Sequence, residues 1–214
     1  MNASRTDIII AGAGYVGMAT AVALKSSAPH LDVTVIDAAP AGVWRNDTRA
    51  SAIAAAASRM LDRLGCWQSI LPDAQPINEM IITDSRIADP VRPVFLTFDG
   101  EIEPGEPFAH MVENRLLNAS LRERAEALGI VFIEGTPVHG FDHGDDSLSV
   151  RYGNDQSLKA RLLIAADGVK SRLRDMAGIR TVNWEYGQSG IVCTVAHERP
   201  HNGRAEEHFL PAGP

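Results

Sequence analysis

Disulfide, membrane and nucleic-acid chemistry find little support in this chain. Only two cysteines occur in 214 residues. Cys66 and Cys193 lie far apart, in neither metal-ligand nor CxxC spacing, so two reduced thiols are expected. Basic residues are outnumbered 20 to 27 by acidic ones, for a net charge of −7. They form no basic run, which argues against nucleic acid as a partner. The longest uncharged stretch, Ile8 to Leu24, contains three glycines and changes from strand-like to helix-like pattern, so no membrane span is expected. The opening MNASRTD passes into a first strand without an apolar signal core or cleavage site, from which a cytoplasmic location is expected. There is no internal repeat and no low-complexity segment. At 45% apolar and 22% charged residues, the chain should be globular, as one large or two small domains.

What is present is a glycine turn in a specific setting. The segment DIIIAGAGYVGMATAVALK places Gly12, Gly14 and Gly17 between an apolar strand (Asp7 to Ala11) and a small-residue helix. DVTVID follows and ends in Asp37, 25 residues after Gly12. Gly12 suits the tight turn and Gly14 leaves room for a pyrophosphate on the helix N-terminus. Gly17 lets the helix lie close to the sheet. A carboxylate at Asp37 can accept hydrogen bonds from the ribose hydroxyls of an adenosine and would repel a 2′-phosphate. Strand, turn, helix, strand and acid in that order indicate a dinucleotide. FAD and NAD present the same ADP half, so the unit alone does not choose between them.

Further along, the alanine-rich run Ala50 to Leu64 carries Ile53, Met60, Leu61 and Leu64 at helical spacing and predicts one helix ending at Gly65. Ile77 to Thr83 and Pro93 to Phe98 read as strands that interrupt the nucleotide domain. Asn114 to Leu128 predicts an amphipathic helix capped by Gly129 and followed by the strand IVFIE. PVHGFDH, SLSVRY and ARLLIAAD predict a small antiparallel excursion returning to the main sheet. Strand character is expected again in SGIVCTVAH and EEHFL. The last β-rich region has too few strands to cover its apolar face, so the chain is expected to be the front of a longer protein.

The run ADGVKSRLR, Ala166 to Arg174, resembles the Asp-Gly motif A-D-G-x-x-S-x-x-R of the aromatic-ring FAD hydroxylases at every fixed position. TRASAIAAAASRMLDRLGCW, MVENRLLNASL and the tail from Tyr186 to Pro214 are similar to the ubiquinone-biosynthesis hydroxylases (UbiH type) within that class. The resemblance runs from Asp7 to Pro214. It implies an α/β fold: a Rossmann-like FAD-binding domain of the p-hydroxybenzoate hydroxylase type with an interleaved, incomplete β-rich substrate domain. The expected division is 1–75 and 108–178 for the FAD-binding domain, with 76–107 and 179–214 for the substrate domain.

By resemblance, Gly12, Gly14, Gly17 and Asp37 hold the ADP of FAD. Arg49, in the loop entering the second helix, matches a family arginine whose planar donor fork suits a pyrophosphate, the alternative being a surface helix-cap arginine. Asn114 stands where the wider class has a flavin-facing arginine, so an amide contact is expected. Val138 corresponds to a position near the adenine, Asp167 to an acceptor for cofactor hydroxyls, and Gly168 to a point of close backbone approach. Ser171 and Arg174 are expected to cap and brace the next helix. The family's Gly-Asp-Ala-Ala-His type motif does not occur in these residues.

The activity so implied is hydroxylation of a polyprenylated phenol in ubiquinone biosynthesis, using NAD(P)H and O2 through a flavin hydroperoxide. The cofactor carries that chemistry, so no side chain is assigned as catalytic. A nearly insoluble substrate suggests peripheral association with the inner membrane or a ubiquinone-pathway assembly. A hydroxylase of another small aromatic, a non-catalytic nucleotide-binding or assembly module, and an NAD-dependent dehydrogenase are the alternatives. His139 with His143, and His197, His201 and His208, lack metal-ligand context. Ser171 sits in no hydrolase elbow. Trp44, Trp67 and Trp184 are expected to pack.

Overall fold

A computed structural model describes residues 5–86 and 88–210. Its centre is a parallel sheet of β1 (Ile8–Ala11), β2 (Val33–Ile36), β10 (Val131–Ile133) and β14 (Leu162–Ala165), in the order β10-β2-β1-β14. Strands of such a sheet are covered on both faces, which is why IIIA and VTVI are uninterrupted apolar runs and every residue in them is buried. Alternation sends Ile8, Ile10, Val33 and Val35 to one face, against Met18, Ala21 and Val22 of α1 (Tyr15–Ser27) and Leu117 and Leu121 of α4 (Asn114–Ala127). Ile9 and Ile36 face the other way.

That opposite face is covered by the antiparallel sheet of β11 (Val138–His143), β12 (Leu148–Tyr152) and β13 (Gln156–Ala160), through Val150, Tyr152, Leu158 and Ala160. Helices, parallel sheet and antiparallel sheet thus form three layers. Where the sequence suggests three β-runs, the structure has four. Arg161 alone separates β13 from β14, and its N–H donates to the Asp7 carbonyl at 2.9 Å, turning the chain from the outer sheet into the central one.

The expected helix over 50–64 is corrected. Ala50–Ala54 is a strand (β3) and only Ala55–Arg63 is helical (α2). Alanine favours helix by a few tenths of a kcal/mol, but β3 pairs along its whole length with β9 (Ala109–Glu113), and β4 (Gln75–Ile77) adds to the other side. A full ladder outweighs the local preference. The short helix α3 (Trp67–Ile70) buries Trp67 and Ile70 in the same core as α4.

A third sheet joins β5 (Glu79–Asp84) to β6 (Val94–Asp99) and, in parallel, to β15 (Arg204–Phe209), while the hairpin of β7 (Glu101–Glu103) and β8 (Glu106–Pro107) follows β6. Arg59 of α2 ties that hairpin to the helical layer, donating to Glu106 and, at 3.1 Å, to Glu103. The strand expected in SGIVCTVAH does not form. Ser189 to His197 has no ladder partner among the described residues, and Ile191 is 94% exposed. Trp184, expected to pack, is 68% exposed for the same reason. Trp67 does pack.

Candidate functional site

The C-terminal ends of β1, β2 and β14 converge on the glycine turn. Gly12 donates to the Ile36 carbonyl at 2.8 Å, and Ala166 donates to the Ala11 carbonyl at 2.8 Å, so the turn is clasped from both sides. With φ at +111°, and with the Ala166 oxygen only 2.2 Å from where a Cβ would stand, position 12 admits glycine alone. Gly17 brings α1 against the turn: a Cβ there would meet the Gly12 carbonyl oxygen at 2.0 Å. Gly14 is different. Nothing lies within 4 Å of its Cβ direction. It is the N-cap of α1, with no side chain capping the helix and no acid in the first turn. The unpaired N–H groups and positive end of a 13-residue helix therefore open onto empty space, the arrangement that suits a phosphate.

Asp37 follows β2 directly. One carboxylate oxygen accepts from the Ala13 N–H inside the glycine turn, and the other accepts from the Ala39 N–H at 2.6 Å. The carboxylate braces the turn with two of its roughly four acceptor directions, and the residue also lines a cavity of about 450 Å³. Gly12, Gly14, Val138, Asp167 and Gly168 line the same cavity. Six of the nine residues singled out in the sequence thus come together, in a space of the size small-molecule sites occupy.

Asp167 is more committed than the sequence suggests. One oxygen accepts from the Ser171 hydroxyl at 2.5 Å, and the other from the Arg172 and Leu173 N–H groups at 3.0 and 3.3 Å. Ser171 in turn caps α5 (Arg172–Met176) by accepting from the Arg174 N–H at 3.1 Å. Arg174 donates back to the Val169 carbonyl at 3.2 Å, so both have the capping and bracing geometry expected of them. Two cavity-lining cations were missed, Lys170 and Arg172. They occupy variable positions of ADGVKSRLR, so the motif gave no signal for them beyond their charge.

Gly17, Arg49 and Asn114 do not line this cavity. Gly17 stands behind the turn. Arg49 precedes β3 rather than a helix, and its guanidinium forks onto Asp47 with two 2.8 Å hydrogen bonds. Asn114 is buried at the start of α4. Its amide donates to Asp47 at 3.3 Å and accepts from the Ser51 hydroxyl at 2.7 Å, while its N–H donates to the Arg49 carbonyl at 2.8 Å. The Arg49 hydrogen bonds hold the Asp47 carboxyl well below the usual carboxylate range, against partial burial. The same pairing raises the Arg49 pKa, with a smaller contribution from Tyr15 at the head of α1. Neither Asp47 nor Ser51 stood out in the sequence.

One other titratable group is set apart. His110 on β9 is buried, packs edge-on to Trp67 at 5.2 Å and leaves Nδ1 without a partner. Burial lowers its pKa, opposed by the charge of Glu106.

Residues 5–211 match the family model described as FAD binding domain. The ubiquinone hydroxylase UbiL of Rhodospirillum rubrum is 38% identical over 212 residues, covering 97% of this chain and 48% of that protein. The mitochondrial ubiquinone biosynthesis monooxygenase COQ6 of Danio rerio is 32% identical over 229 residues, covering 97% of this chain and 46% of its own length. The chain therefore spans about half the length of these curated relatives. Among solved structures, the p-nitrophenol 4-monooxygenase PnpA of Pseudomonas putida superposes with a TM-score of 0.68 at 20% identity, over 82% of this chain and 44% of that one, which shows the fold. That fold is of the p-hydroxybenzoate hydroxylase type. Since the family match covers nearly every residue around a turn shaped for a dinucleotide, the chain belongs to the FAD binding domain family of flavin-dependent monooxygenases.

Proposed function

We propose that this chain forms the ADP-holding part of an FAD-dependent hydroxylase acting on a polyprenylated phenol in ubiquinone biosynthesis, with NAD(P)H as reductant and O2 as co-substrate. The observation that carries the nucleotide part is the gathering of Gly12, Gly14, Asp37, Val138, Asp167 and Gly168 around one cavity at the open end of α1. The relatives named for ubiquinone hydroxylation support the substrate class.

Each residue has a distinct task in this reading. The Gly14 turn and the α1 N–H groups take the diphosphate, and Lys170 and Arg172 add positive charge at the cavity wall. Asp37 accepts from ribose hydroxyls with the acceptor directions the turn leaves free. Val138 packs against the adenine. Asp167 acts by fixing the loop that presents the Gly168 backbone. Gly17 sets the distance between α1 and the turn, while Arg49 and Asn114 hold the far side of the helix head with Asp47. When bound, FAD supplies the oxygen-transfer chemistry, and the protein orients the ring and keeps water away.

The interleaved division into 1–75 with 108–178 and 76–107 with 179–214 is part of the proposal. So is a cytoplasmic enzyme peripheral to the inner membrane or held in a pathway assembly, because a prenylated substrate partitions into lipid. No described helix is long and apolar enough to cross a membrane. The test has two arms. FAD and ADP are titrated into the purified chain by calorimetry, where failure of both to bind removes the nucleotide reading. A full-length protein carrying this sequence is then assayed with NAD(P)H on a polyprenylphenol and on small phenols. Turnover of the small phenols alone would leave a hydroxylase and remove the ubiquinone assignment.

A further inference from the structure

Away from the dinucleotide cavity, α1, α2 and α4 enclose an open apolar groove of about 670 Å³. Val16, Ala19, Ala23 and Ser27 form one side, Met60 of α2 the other, and Leu61 and Leu121 lie in the floor. Val16 is 62% and Met60 48% exposed, although the leucines beneath them are buried. A contiguous apolar surface of this kind marks a site of contact. From Val16 to Ser27 it runs about 16 Å along α1, at about 1.5 Å per residue.

The shape restricts what can lie there. All three borders are helices whose backbone groups are already paired, so an inserted strand would find no ladder and would leave its own N–H and C=O groups buried without partners. A helix satisfies its backbone internally. Ala19, Ala23 and Ser27, one turn apart along α1, leave room for a helix axis to come close. A second copy of this chain fits poorly, because a twofold contact would set one concave groove against another and leave a void.

The chain covers 97% of itself but only 48% and 46% of its two named relatives. We propose that the groove receives a helix of about three turns, apolar on one face, from the portion of the hydroxylase that has no counterpart in these 214 residues. The groove begins at Tyr15 and Val16, immediately after Gly14 of the dinucleotide cavity. A helix lying in it therefore ends beside the phosphate position and links the second half of the protein mechanically to the nucleotide turn.

The probe is the part of the Rhodospirillum rubrum ubiquinone hydroxylase unmatched by this chain, co-expressed with it in trans and, separately, joined to it by a flexible linker that raises the effective concentration to about millimolar. Association is read by analytical ultracentrifugation in trans and by protection of Val16 to Ser27 from hydrogen exchange when tethered. Both readouts are independent of turnover, so they stand even if the substrate assignment fails. Association and protection are expected. The double variant Val16→Glu with Met60→Glu should weaken association by about 100-fold or more, while Val131→Glu, exposed on the sheet edge, should change it less than about threefold. Melting temperatures within about 2 °C of wild type show that the variants fold. The proposal is overturned if the double variant associates as well as wild type, or if neither arrangement protects the groove. It is also overturned if the chain alone forms a dimer that Val16→Glu dissolves.

Discussion

Replacing Gly14 and Gly17 separately by alanine divides the fit of the nucleotide from the fit of the helix. The two glycines lie three residues apart and face opposite circumstances. At position 14 a methyl group meets no protein atom within 4 Å, and φ is −69°, an ordinary value for alanine. The variant should melt with the wild type to within about 1 °C, because no contact is lost or strained. The methyl group does project where the diphosphate would lie, so affinity for FAD and ADP should fall by about 10- to 100-fold, or about 1.4 to 2.8 kcal/mol. At position 17 the methyl group starts 2.0 Å from the Gly12 carbonyl oxygen, and α1 must retreat by about 1.4 Å to reach ordinary contact at 3.4 Å. Overpacking of that order costs about 2 kcal/mol and lowers the melting temperature by about 4–8 °C. Affinity falls with it, since the displaced helix carries its N–H groups away from the phosphate. Circular dichroism melts and calorimetric titrations of the two variants provide both quantities. Wild-type affinity in Gly14→Ala would refute the placement of the diphosphate, and wild-type stability in Gly17→Ala would refute the close approach of α1.

Ser171→Ala removes an N-cap and a hydrogen bond to Asp167 together, so a loss of about 1–2 kcal/mol in denaturant titration is expected. Lys170→Glu should weaken FAD binding by about tenfold and flatten its salt dependence; unchanged affinity across a salt series would remove this side chain from the site. Arg49→Met should bring the Asp47 carboxyl back toward its ordinary value, seen as a higher midpoint in an NMR titration. Because the folded pKa of Asp47 is depressed, its stabilising contribution is present above about pH 3.9 and disappears as pH falls below it, and the variant should show a smaller acid loss there. His110 is also depressed, so the folded state resists its proton and stability should decline as pH drops below about 6.5. His110→Phe, which keeps a ring against Trp67, should flatten that decline in melts between about pH 7 and 5.

The strongly buried parts of the fold were legible in the residues themselves. Ile8–Ala11 and Val33–Ile36 are apolar throughout because both sheet faces are covered, and the glycine spacing between them admits few alternatives. Asn114–Ala127 shows its core stripe openly. The errors fell where distant pairing overrides local preference. Ala50–Ala54 has the composition of a helix and becomes a strand because residues 109–113 offer it an edge. Ser189 to His197 has the alternation of a strand and lacks a neighbour. The site followed the same division. Glycines and Asp37 announce themselves through spacing, whereas Asp47, Ser51 and Lys170 acquire their positions only after chain segments far apart have met.

The opposite wall of the glycine turn is Ala166, and the first strand pairs Ile8 with Leu162, 154 positions later. A ribosome adding about 5–20 residues per second needs about 8–30 s to supply that wall after the first strand has emerged. Throughout that interval the turn is an unpaired loop with no partner on one side, so nucleotide capture is confined to a late stage of synthesis. Cofactor supply then acts on a nearly finished chain, and any variant that delays the docking of β14 prolongs the time during which the edge of β1 lies open to other strands.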